Sequence, residues 1–194
     1  MGAQNKSLLI HGYYDRFEQL SQLFFIDKKN IEDMNEVIKI LKKTKENCST
    51  IYVIGNGGSA AIAEHAAIDL TKNAGIRAMA ISGTPMLTTF SNDYGYEKVF
   101  QKAIESFAKE GDILVAVSSS GTSKNILNAC KAARKKGLKI ITLSGFKETN
   151  PLRTLGDINF WVDSEAFGYL EILHGLILHY IIDSIIGSEI YMIR

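Results

Sequence analysis

Two cysteines and two prolines among 194 residues exclude several architectures at once. Cys48 and Cys130 stand alone, without metal-ligand spacing, so neither a disulfide scaffold nor a zinc ribbon is encoded; both read as reduced thiols of a cytoplasmic protein. So little proline, with no low-complexity stretch, argues against a long disordered region. Neither sign of charge is in excess. The formal net charge is +1, which gives no bulk electrostatic footprint for nucleic acid or for a membrane surface. The start, Met1 to Lys6, leads into no apolar signal segment, and Lys6 replaces the serine that a myristoylation signal would want. The most apolar stretch, Ile172 to Ile186, is broken by His174, His179 and Asp183, which suits a buried helix better than a membrane span.

What is present is an ordinary globular composition, 46% hydrophobic and 22% charged, long enough for one domain over residues 1–194. Residues 1–48 read as helical. Phe17, Leu20, Leu23 and Phe24 recur at three- and four-residue spacing, as do Ile31, Met34, Val37, Ile38 and Leu41, with a break between helices at Asp27 to Asn30. From residue 50 short apolar runs alternate with helical stretches. Strands are expected over 51–54, 77–81, 112–117, 138–143 and 158–162. Helices are expected from residue 59 to about 73, over 96–108, from about 124 to 136 and from 167 to about 186, with a helical turn over 84–90. Five buried strands alternating with helices predict a three-layer, doubly wound parallel sheet of flavodoxin type, with the N-terminal helices packed on it. Ligands bind such sheets beyond the carboxyl ends of the strands, at the switch point, where the two glycine–serine turns are expected.

Ser118-Ser119-Ser120-Gly121-Thr122-Ser123 places five hydroxyls in six residues at a strand-to-helix junction. Hydroxyls and free N–H groups at a helix N-terminus form an anion site, and the helix dipole adds to it. No lysine lies within the loop, so the pattern fits a sugar monophosphate better than a triphosphate with magnesium. One serine would read as a helix cap; this many reads as a binding loop. Gly55-Asn56-Gly57-Gly58-Ser59 lets backbone approach a ligand closely. It does not complete the dinucleotide fingerprint: Ala60 stands at the third glycine, and no acidic residue closes the second strand.

These loops, with His65, Asn92-Asp93-Tyr94-Gly95, Glu171, His174 and His179, resemble the phosphoheptose isomerases of the sugar isomerase (SIS) domain group over residues 8–187. The resemblance implies a homotetramer with N-terminal helices between subunits. It implies interconversion of sedoheptulose 7-phosphate and D-glycero-D-manno-heptose 7-phosphate, on the way to bacterial surface heptoses of lipopolysaccharide or capsule. It places phosphate on Ser59, Ser118, Ser120 and Ser123, with Ser119, Gly57 and Gly58 in the same loops, and the sugar chain on Asn56, Asp93 and the adjoining Asn92. It also implies zinc at His65, Asp69, Glu171 and His179.

The match has departures. Asp69 stands where the family has glutamate, Glu171 where it has glutamine, Asn73 where it has arginine, and Gly168-Tyr169 where it has an Asp-Arg pair. His65 and Asp69, four apart, share a helix face. Glu171 and His179 differ by eight residues, about 80° around a helix, so both are expected to reach one cavity. Two imidazoles and two carboxylates form a plausible zinc sphere. His174 points elsewhere and reads as a hydrogen-bonded core residue, and His11 as a surface or interface residue. The expected mechanism passes through an enediol, with acid–base work by His179 and Asp69 and with Glu171 as an alternative base. Two other readings remain: an isomerase for another ketose phosphate, and a non-catalytic SIS module that binds a sugar phosphate or a protein.

Overall fold

A computed structural model describes residues 10–190; Met1 to Lys6 and the first residues of the family resemblance lie outside the described residues. Two helices open the chain, α1 (Ile10–Ile26) and α2 (Lys28–Glu46). The break between them is narrower than the sequence pattern indicates. Asp27 alone separates the helices, and its carboxylate caps α2 by accepting from the Asn30 N–H at 2.9 Å. Lys43 and Lys45 occupy the last turn of α2, where cations favour the dipole.

The remainder alternates as expected: β1 (Ile51–Ile54), α3 (Gly58–Lys72), β2 (Ala78–Ala80), α4 (Thr84–Tyr94), α5 (Val99–Phe107), β3 (Ile113–Ser118), α6 (Lys124–Lys135), β4 (Lys139–Ser144), β5 (Ile158–Trp161) and α7 (Phe167–Ile186). Two elements differ from the sequence reading. The turn at 84–90 continues as α4 to Tyr94, and the helix expected over 96–108 divides into a short 3-10 helix, Tyr96–Lys98, and α5.

All strand pairings are parallel, in the order β2-β1-β3-β4-β5. The strand order reverses at β1, so the switch point lies between β1 and β3. Alternate strand residues feed two cores. Ile51, Val53, Val115, Ile141 and Phe160 pack with α1, α2, α3 and α7, whereas Tyr52, Ile54, Leu114 and Ile140 pack with α5 and α6. Each such fully buried aliphatic side chain contributes about 1.5–3 kcal/mol. By length and composition α7 passes for a membrane span, but its Leu170, Leu173, His174, Ile177, Leu178, Ile181 and Ile182 are buried within the molecule. That is the buried helix expected for this stretch.

Candidate active site

Beyond the carboxyl ends of β1 and β3, the N-termini of α3 and α6 converge on one pocket of about 90 Å³. It is lined by Asn56, Ser59, Val117, Ser118, Ser119, Ser120, Ser123, Phe167 and Glu171. Neither helix is capped by a side chain: Gly57 precedes α3, and Ser123, at the N-cap of α6, leaves its hydroxyl unused for capping. Ile126 N–H is taken by Asn125 Oδ1 and Ala60 N–H by the Gly57 carbonyl, but the N–H groups of Gly58 and Ser59 in α3 and of Lys124 and Asn125 in α6 have no partner among the described residues and stay available to a ligand. The Ser119 hydroxyl is buried and has no hydrogen-bond partner among the described residues. Ser118 and Ser123 hydroxyls lie 3.4 Å apart, and the Thr122 hydroxyl donates to Ser120 Oγ at 3.1 Å. The loop turns tightly through Gly121 at φ +64, where a Cβ would collide with the Asn150 amide.

The two loops are tied to each other. Asn56 and Asn125 exchange amide hydrogen bonds: Asn56 Nδ2 donates to Asn125 Oδ1 at 3.0 Å, and Asn125 Nδ2 donates to Asn56 Oδ1 at 2.9 Å. The Tyr96 hydroxyl donates to the same Asn56 oxygen at 2.9 Å. The Asn56 amide is thus engaged by protein on both of its ends. Asn125, Tyr96, Phe167 and Asn150 were not singled out from the sequence. Asn125, in the first turn of α6, has the appearance of an ordinary helix-start residue, and only its pairing across the chain distinguishes it.

Further along α3 and α7 lies a second cluster. Asp69 Oδ2 is 3.1 Å from His65 Nε2 and 3.8 Å from His179 Nδ1, and the two imidazole rings meet edge to face at 4.9 Å. Asn73, in place of a basic residue, donates to Asp69 Oδ1 at 3.0 Å. His65 and His179 border a cavity of about 280 Å³ between the helices, with Ala61, Ile62, Leu178 and Ile182.

Two imidazole nitrogens and a carboxylate oxygen, all within 4.8 Å of one another, fit the open His/His/carboxylate set of a catalytic zinc site. Glu171, expected as a fourth ligand, is not in this group; it lies in the serine pocket. The angle between Glu171 and His179 is favourable, but the Glu171 carboxylate turns onto Gly58 at the start of α3, so its oxygens lie outside the group.

Asn92 and Asp93 do not line the serine pocket. They lie on the exposed end of α4, where Asn92 Nδ2 donates to Asp93 Oδ1 at 2.9 Å. Tyr169 stacks on Tyr13 of α1 with ring centroids 4.4 Å apart. Gly168 makes room for this pair, since a Cβ there would lie 2.7 Å from the Tyr13 hydroxyl. His174 is fully buried, with Nε2 3.2 Å from the Ser144 carbonyl, in keeping with its reading as a core residue.

A doubly wound sheet whose two helix ends, free of side-chain caps, meet in a hydroxyl-lined pocket is an α/β domain built to receive an anion, and the SIS domain family model matches residues 12–145. The chain is 36% identical over 168 residues to phosphoheptose isomerase of Helicobacter pylori strain P12, covering 81% of this chain and 87% of that one. It is 39% identical over 172 residues to phosphoheptose isomerase of Aliarcobacter butzleri, covering 84% and 90%. The solved phosphoheptose isomerase of Neisseria gonorrhoeae superposes with a TM-score of 0.84 at 28% identity, covering 91% of this chain and 97% of that one. The chain belongs to the phosphoheptose isomerase family of SIS-domain proteins.

Proposed function

We propose that the chain isomerises sedoheptulose 7-phosphate to D-glycero-D-manno-heptose 7-phosphate. The observation that carries this reading is the order of the two clusters along one pair of helices. The serine pocket sits at the start of α3 and α7, and the His65–Asp69–His179 cluster lies deeper along both. Ser59 and His65 are separated by about 9 Å of helix rise. An extended chain advances about 1.2 Å per bond, so phosphorus to the carbonyl carbons of an open-chain heptose 7-phosphate spans roughly 8–10 Å. Phosphate held at one end brings the reacting carbons to the other.

Ser59, Ser118, Ser119, Ser120 and Ser123, with the N–H groups following Gly57 and Gly58, receive the phosphate. Asn56 holds the two loops in register for it. His65, Asp69 and His179 are the residues that would hold zinc, which supplies polarisation of the substrate carbonyl when bound. Asp69 Oδ2 stands 3.1 Å from His65 Nε2 and 3.8 Å from His179 Nδ1, so the three donor atoms face one point. His179, at the cavity border, moves protons at the sugar oxygens, and Asp69 shares the transfer between neighbouring carbons. Exposed Ile10, Tyr14, Leu23 and Ile26 on α1, and Ile172, Leu176 and Tyr180 on α7, support a homotetramer with helices between subunits. The free thiols and near-neutral charge suit a cytoplasmic enzyme.

Purified enzyme is expected to carry zinc near one ion per chain. His179→Gln is expected to lower kcat by at least ~100-fold while inorganic phosphate still binds. Unchanged turnover in that variant would remove His179 from the mechanism, and a zinc-free active enzyme would remove the metal. A non-catalytic regulator would need no such cluster of imidazoles and carboxylate beyond the phosphate pocket.

A further inference from the structure

A carboxylate occupies the anion pocket. Glu171 projects from α7 onto Gly58, the first residue of α3, so closely that a Cβ on Gly58 would collide with both of its oxygens. Its neighbours in the pocket are serine hydroxyls, Asn56, Val117 and Phe167; neither lysine nor arginine lines the pocket. Among the described residues no ion pair involves Glu171. The half-buried carboxylate makes no hydrogen bond among the described residues and lies at the positive end of the α3 dipole, the field that a phosphate there would also use.

We propose that Glu171 is a resident anion of the serine pocket which the substrate's phosphate must displace, so that this side chain sets how tightly the pocket takes a phosphoryl group. The proposal rests on reading the pocket as the phosphate site. Like charges at a few ångströms in a partly desolvated pocket repel strongly enough to change a binding constant by a factor of ten or more. The Glu171 carboxylate is part of the wall of the pocket, so a phosphoryl group bound there meets its negative charge at contact distance. Glu171 shares its helix face with Phe167, four residues earlier, and both line the pocket. When phosphate enters, the carboxylate swings off Gly58, and arrival of the phosphoryl group is coupled to movement of a side chain at the start of α7. Residue 171 then acts on binding, and the effect appears in KM before kcat.

Calorimetric titration of the chelator-treated full chain with inorganic phosphate tests this. Glu171→Gln keeps the shape without the charge, and Glu171→Met removes the charge without adding an N–H donor. Both variants are expected to bind phosphate at least ~tenfold more tightly than wild type, with KM for the sugar phosphate falling in parallel. Equal or weaker binding by both, or tightening by Gln alone, overturns the proposal, the latter because a new hydrogen bond would then be the cause. Ser123→Ala, made in wild type and in Glu171→Gln, is the control for the pocket itself. Loss of phosphate affinity in both backgrounds supports the pocket as the site; indifference in both removes the pocket reading and this proposal with it.

Discussion

At residue 174 an imidazole is enclosed completely, its Nε2 bonded to the Ser144 carbonyl and its Nδ1 without a partner among the described residues. Burial pushes its pKa down to about 4, with the Ser144 bond opposing that shift. The folded value lies below the ordinary value near 6.5, so the unfolded chain binds the extra proton first. Folding stability is unaffected by this group above about pH 6.5 and falls as pH drops from there towards 4, by about 3 kcal/mol in all. Urea titrations between pH 7.5 and 4.5 are expected to show a steeper loss for wild type than for His174→Gln; parallel losses would show that His174 is not the buried neutral group. The core role of His174 was legible because it diverges in angle from His179 on one helix. Glu171 was less legible: helical angle was the available signal, and spacing does not encode the side-chain direction that carries its carboxylate to Gly58. Cys130 is likewise settled by burial, which raises its thiol to about 12, whereas Cys48 is exposed.

Between elements, the reciprocal Asn56–Asn125 pair sets the spacing of the two helix ends that form the pocket. It joins the loop after β1 to the first turn of α6, and Tyr96 links the pair to the segment after α4. Asn125→Ala leaves the half-buried Asn56 Nδ2 without its acceptor, while Tyr96 still bonds Asn56 Oδ1, a loss of about 1–3 kcal/mol. In a double-mutant cycle with Asn56→Ala, the coupling energy is expected at about 1 kcal/mol, with KM rising more than kcat falls; additive effects would mean that the pair does not act as a unit. Strands, their parallel arrangement and the loops after β1 and β3 were readable from short apolar runs and from glycine and serine placement, whereas the order β2-β1-β3-β4-β5 comes from the pairing itself. The length of α4 was not, because none of its residues is buried and no apolar periodicity marks its end.

For the whole molecule, two clusters of different chemistry lie in sequence along α3 and α7, one of hydroxyls at the helix ends and one of imidazoles and a carboxylate, which the proposed function assigns to the phosphate and to the carbonyl end. The sequence revealed the residue types of both, and the helix spacing that separates them emerges once the two helices are placed side by side. On the proposed reading, chain length is the selected property of the substrate: a five-carbon phosphate held by the serines would end about 2–3 Å before a seven-carbon one. The most direct test of the account is NMR-monitored isomerisation by the zinc-loaded enzyme of sedoheptulose 7-phosphate beside ribulose 5-phosphate at equal concentration. The account predicts conversion of the seven-carbon ketose to the heptose 7-phosphate, with kcat/KM at least ~100-fold above that for the five-carbon ketose. No conversion of sedoheptulose 7-phosphate, or equal turnover of the two, would contradict it.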